Sequence, residues 1–151
     1  MVRHMFRIET EVDKERRLLL RSLLQDANRA ASPALRELHG TAAERETPLQ
    51  VWALTPEGTL AGGLDAHTWA GWLHVNLLWV ADQHRGAGLG SRLLTEAELR
   101  AREEHGCVSA RVETWDFQAP GFYRQHGYDV VAVVPDYPPG AKEFTLTKRL
   151  G

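Results

Sequence analysis

The stretch DQHRGAGLGSRLL, from Asp82 to Leu94, constrains this chain more than any other. It follows the apolar run WLHVNLLWV and places three glycines within five positions, at the start of a helical pattern. Glycine loses more chain entropy on folding than any other residue, so three together need a reason. A helix N-terminus offers unpaired N–H groups and partial positive charge, and glycines let an anionic ligand approach that backbone. Strand, glycine loop and helix therefore make a phosphate cradle. Spacing narrows which one. The Gly-Lys-[Ser/Thr] of a mononucleotide loop is absent. Counting from Gly86, a dinucleotide fingerprint needs its third glycine at position 91, where Ser91 stands, and Gly90 comes one residue early.

The remaining pattern sets the context. MFRIET (5–10) alternates as a short first strand would. EVDKERRLLLRSLLQDANRAAS repeats Leu20, Leu23, Leu24, Ala27 and Ala31 at helical spacing and should end before Pro33. A shorter helix is expected within PALRELHGTAAERE. LQVWAL and LAGGLDAHT, joined by the turn chemistry of TPEGT, predict a hairpin. GWLHVNLLWV follows as a central strand. The next helix carries Leu89, Leu93, Ala97 and Ala101 on one face and ends at Gly106. Then come the strand CVSARVET, the short helix APGFYRQHG, the strand YDVVAVV, the loop PDYPPG and the strand KEFTLTKRL. This order predicts an α/β fold with a mixed, mostly antiparallel sheet, one parallel crossover and no linker, so residues 1–151 read as a single domain.

A net charge of −2 gives no pull toward nucleic acid or an anionic membrane. The one cysteine, Cys107, excludes an internal disulfide and reads as a core residue. The histidines show no metal-ligand spacing, so no metal is expected, and His39, His67, His84, His105 and His126 read as surface or loop residues. MVRHMFRIET lacks a signal peptide's apolar core, and a cytoplasmic setting is expected.

Gln83-x-x-Gly86-x-Gly88 resembles the acetyl-CoA motif of the GCN5-related N-acetyltransferases, Q/R-x-x-G-x-G/A. Downstream, Ala119, Tyr123 and Gly127-Tyr128 resemble the family's late segment, and FQAPGFY with DYPPG resembles its small single-domain bacterial branch. The resemblance covers nearly the whole chain. It implies a central sheet splayed between its fourth and fifth strands and flanked by helices. It also implies acetyl-CoA as co-substrate, an amine acceptor of small-molecule or peptide type, and direct attack in a ternary complex. By the same resemblance, amides from Arg85 through Gly90 (Gly86, Ala87, Gly88 and Leu89 between them) hold the pyrophosphate. Ser91 and Arg92 stand beside it, and the edges of Leu78, Trp79 and Val80 hold the pantetheine arm. The segment 31–46 and the loop PDYPPG would border the acceptor, with Trp69, Trp115 and Tyr137 as candidate lining. The family's members often dimerise, so the resemblance admits a homodimer. Where many members carry asparagine for a side-chain contact with the cofactor arm, this chain departs from the pattern with Asp116.

Acetyl transfer to an amine needs two proton steps. A lysine-like amine is neutral in only about one molecule in 2,500 at pH 7, so a base is required. The departing thiolate needs an acid. Tyr123 holds the position of the family's general acid, and a phenol stays protonated at neutral pH. Alternation puts Trp72, His74, Asn76, Leu78 and Val80 on one strand face. His74 is the candidate base, with Glu113 second and a water-mediated base third. Two other readings stand beside the enzyme: a non-catalytic acyl-CoA sensor on the same fold, and transfer of a different acyl group.

Overall fold

Ser32 shows how closely local sequence sets the first elements. In this computed structural model, which describes residues 5–151, Ser32 joins α1 (Lys14–Ala31) to α2 (Pro33–Leu38). Its N–H closes α1 on the Asn28 carbonyl at 2.9 Å, and its hydroxyl accepts the Leu35 N–H at 3.3 Å. Pro33 is then the first residue of α2, where a missing N–H costs nothing. Asp13 caps the start of α1 by accepting the Arg16 N–H at 2.9 Å. These helices belong to an N-terminal unit that ends at His39; a larger unit runs from Gly40 to Gly151. The expected first strand, MFRIET, is not formed: residues 6–12 carry no regular structure. Alternation alone does not make a strand, because a strand is stable only with a hydrogen-bonded neighbour.

The larger unit contains β1 (Thr47–Leu54), β2 (Leu60–Trp69), β3 (Trp72–Val80), α3 (Leu89–His105), β4 (Ser109–Trp115), α4 (Pro120–Gln125), β5 (Asp129–Pro135) and β6 (Lys142–Arg149). The sheet order is β1-β2-β3-β4-β6-β5. Among the described residues, only β3 and β4 pair in parallel. This is the expected mixed, mostly antiparallel sheet. Ala70 and Gly71 link β2 to β3 with φ of 53° and 79°, a two-residue turn whose twist suits a hairpin.

One sheet face is closed by α3. Its Leu93, Leu94, Ala97 and Ala101 are buried with Leu64, Ala66, Leu73 and Val75 of the sheet. Leu94 is fully buried, worth roughly 1.5–3 kcal/mol in transfer free energy. Cys107 lies in this core, and burial pushes its thiol pKa up. A polar tie spans α3, the start of β5 and β6. Glu98 accepts the Tyr128 hydroxyl at 2.7 Å and the Lys148 ammonium at 2.8 Å. Burial first, and this acceptor second, hold the Tyr128 phenol far above its ordinary range.

Tyr128→Phe removes one donor from a half-buried carboxylate while keeping the ring. The expected loss is about 1.5–3 kcal/mol in unfolding free energy, read from the urea midpoint. An unchanged midpoint would show that the hydroxyl contributes nothing.

Candidate active site

The site begins where strand pairing ends. Four residues of β3, Trp72–Val75, pair with Ser109–Val112 of β4, and there the pairing stops. The strands run on to Val80 and Trp115, so their ends part. At the same point β3 carries a bulge. Ala66 of β2 faces Val75, Asp65 faces Leu77, and Asn76 is the extra residue. A bulge resets the two-residue alternation. Leu73 and Val75 face the core before it, and Leu78 and Val80 pack against the core after it. The expected single face from Trp72 through Val80 is thereby corrected. His74 points away from the core, while Leu78 and Val80 point towards it.

The parted strands open a cleft of about 1100 Å³. Leu78, Trp79 and Val80 line it from β3, Glu113, Thr114 and Trp115 from β4, and Phe122 and Tyr123 from α4. The glycine loop closes one end with Arg85, Gly86, Gly88, Leu89, Gly90 and Ser91. Two of the residues expected at the cradle, Ala87 and Arg92, fall outside the lining.

Gly86 and Gly88 have φ of 84° and 78°, a conformation that disfavours any side chain. Gly88 is the N-cap of α3 and provides no side-chain cap, and no acidic residue sits in the first turn. The Arg92 N–H bonds the Gly88 carbonyl at 3.1 Å, so the amides just before Arg92 have no helical partner. These donors and the helix dipole suit a phosphate. Gly90 differs: its φ is ordinary, and an added Cβ would meet only the Phe122 ring and Val80 at contact distance. Arg85 is folded back, donating to the Val80 carbonyl at 3.1 Å and pairing with Asp82 at 3.1 Å.

His126, expected at the surface, is half-buried beside this cradle. Its Nε2 lies 2.9 Å from the Ser91 hydroxyl, and its ring is 4.7 Å from that of Phe122. No local spacing signals this pair, because 35 residues separate its members.

Tyr123 is only 5% exposed yet lines the cleft. Its ring meets Phe122 and Tyr128 edge-on at 5.2 and 5.6 Å. Burial pushes its phenol up to about 12, so the hydroxyl keeps its proton throughout the neutral range.

His74 is not among the lining residues. It stands one hydrogen bond behind them, with Nε2 2.7 Å from Glu113 Oε2. Arg111 donates to Oε1 of the same carboxylate at 2.8 Å. Burial alone would raise the Glu113 pKa, but His74 and then Arg111 outweigh it and hold the carboxyl below its ordinary value. On the neighbouring strand, the His67 ring lies 5.0 Å from that of His74, and Asn76 Nδ2 lies 3.1 Å from His67 Nδ1. Of the aromatics expected near the acceptor, Trp115 lines the cleft and donates its indole N–H to the Tyr137 carbonyl at 2.6 Å. Trp69 does not line it.

Comparison with known proteins agrees with this geometry. The model of the acetyltransferase (GNAT) family matches residues 14–128. Blasticidin-S acetyltransferase of Streptomyces morookaense is 55% identical over 130 residues, 84% of this chain and 96% of that protein. The crystal structure of an acetyltransferase from Bacillus cereus ATCC 14579 superposes with a TM-score of 0.82 at 29% identity, covering 97% of this chain and 99% of that one. Nourseothricin acetyltransferase superposes at 0.62 with 25% identity over 69% of this chain and 66% of its own.

Two outcomes follow from the site's geometry. Gly88→Ala should lower unfolding free energy by about 1–2 kcal/mol, because φ is positive, whereas Gly90→Ala should cost nothing or stabilise slightly. Paired denaturation curves check this. The Glu113 pKa is depressed in the fold, so its stabilisation is complete above its unfolded value. It is lost as pH falls through the lower folded value, below about 4.5. Glu113→Gln should flatten that part of the acid limb in thermal melts, and an unaltered limb would refute the assignment.

Proposed function

The chain belongs to the acetyltransferase (GNAT) family, and from that premise we propose which of its residues carry the reaction and which amine receives the acetyl group. The single observation that carries the reading is the cleft, where a buried phenol and an anion cradle meet between two parted strands. Residues 1–151 act together as one acetyltransferase. Acetyl-CoA lays its pyrophosphate on the free amides of the glycine loop and the first turn of α3. Its pantetheine arm bonds the unpaired edge of β3 at Leu78, Trp79 and Val80, taking the place of the missing neighbour strand.

The acceptor enters as an ammonium ion and must lose a proton before it attacks. His74 is the base and Glu113 positions it. At 2.7 Å from a carboxylate oxygen, Nε2 must carry a hydrogen, which leaves the Nδ1 lone pair to take a proton. Because His74 stands behind the lining, that proton travels through water. A carboxylate held at low pKa suits the orienting role better than that of base. The neutral nitrogen then attacks the thioester carbonyl. The C–N bond forms and the C–S bond breaks. Tyr123 gives its proton to the departing thiolate, and the proton lost by the acylated nitrogen restores the phenol. No acetyl-cysteine intermediate is needed, since Cys107 is 2% exposed and lies in the core. Initial-rate plots should therefore intersect rather than run parallel.

For the acceptor we propose blasticidin S, on the strength of the 55% identity to an enzyme named for it. Thiol release from acetyl-CoA in its presence tests this directly. Turnover of other amines but not of blasticidin S would remove that acceptor while leaving the family chemistry intact.

Tyr123→Phe is expected to lower kcat by roughly 10²–10⁴-fold with acetyl-CoA affinity unchanged by calorimetry. In the parent enzyme, the pH–rate profile should show no loss from Tyr123 ionisation until pH approaches about 12. Full turnover by the Phe variant would remove Tyr123 from the mechanism.

A further inference from the structure

The charges lining the cleft are segregated. Its arginine, Arg85, stands at the glycine loop, and its two carboxylates, Glu113 and Glu143, come from the adjacent strands β4 and β6. Glu113 is already matched by His74 and Arg111. Glu143 is half-buried, and among the described residues it has no ion pair and no side-chain hydrogen bond. An unpaired carboxylate lining the cleft is a ready partner for a positive charge that arrives with a ligand.

Beside Glu143 stands an aromatic surface. Trp115 lies directly opposite Glu143 in the β4–β6 register, so both side chains leave the same sheet face. The Trp115 ring stacks on Phe117, centroids 5.6 Å apart and planes inclined by 13°. Trp115 is pinned through its indole N–H to the Tyr137 carbonyl. The loop carrying Tyr137 is itself closed by bonds from Tyr137 N–H to Ala141 O, 3.2 Å, and from Ala141 N–H to Pro138 O, 2.9 Å. Phe117 remains 68% exposed although it is large, apolar and part of the cleft lining. A half-buried, oriented indole with an exposed ring stacked on it is a surface for planar groups and for cations.

We propose that Glu143, Trp115 and Phe117 form the subsite that selects the acceptor, and that it takes a planar, positively charged group. That group is distinct from the amine that is acetylated: the reacting nitrogen gives up its charge before it attacks, whereas a second, permanent cation keeps Glu143 paired through the reaction. The acceptor class is therefore an amine carrying a second cation on or next to a planar system, such as an amidinium, a guanidinium or a protonated heterocycle. This rests on reading the cleft as that of an acetyltransferase, with the cofactor at the glycine end.

Benzamidine and benzamide test it, because they share shape and differ in charge. Each is titrated into the full chain saturated with coenzyme A and followed by ligand-observed NMR. Benzamidine should bind roughly fivefold tighter than benzamide. Glu143→Gln should abolish that preference without altering acetyl-CoA affinity, and Glu143→Asp should restore part of it. Phe117→Ala should weaken both probes. Equal binding of the two probes, binding of neither, or a preference that survives Glu143→Gln would overturn the proposal. The readout needs no turnover, so a failed acetylation assay and a failed subsite are separate results.

Discussion

Everything the site does depends on β3 and β4 ceasing to pair. A parallel pair is joined by slanted hydrogen bonds and needs a long crossover connection. Here that connection is α3, which leaves the end of β3 at Val80 and returns the chain to β4 at Ser109. The N-terminus of α3 is therefore delivered to the place where the two strands separate. One connection supplies both the anion cradle and the gap beside it. Were pairing to continue past Val75 and Val112, the edge groups of β3 would be used up by β4 and the cleft would close.

The bulge at Asn76 makes that break usable. It turns Leu78 and Val80 into the core, anchoring the parted end of β3 against the core under α3. Without the anchor, an unpaired strand end would lose its support on one side. The anchored end can keep a fixed, unpaired edge, the form in which a strand recognises an extended ligand.

Local sequence carried much of this and failed in an instructive way. Helix stops were legible because capping is a short-range affair: Pro33 and Gly106 act within a few residues. The glycine loop was legible because positive φ at Gly86 and Gly88 demands glycine. MFRIET misled because alternation describes a strand's faces and says nothing about whether a neighbour is available. The face of β3 misled because a bulge depends on the register with β2 and leaves no local mark in WLHVNLLWV. His126 was passed over for the same reason, since its partner Ser91 is brought to it only by the packing of α4 against α3. Two tyrosines five residues apart, Tyr123 and Tyr128, look alike in the sequence. One hydroxyl is held by Glu98, while the other residue lines the cleft.

By itself, then, the sequence determined the succession of elements after the unformed MFRIET strand, the helix stops at Pro33 and Gly106, the glycine spacing that rejects a dinucleotide cradle, and the family resemblance these carry. Tertiary structure decided where β3 and β4 part, which face His74 takes, that Glu113 stands between His74 and the cleft, and that Glu143 is left without a partner beside Trp115 and the Phe117 ring stacked on it. The division has a physical basis. Caps, turns and positive φ are energies of neighbouring residues, whereas register, splay and charge pairing are energies between segments that meet only in the folded chain.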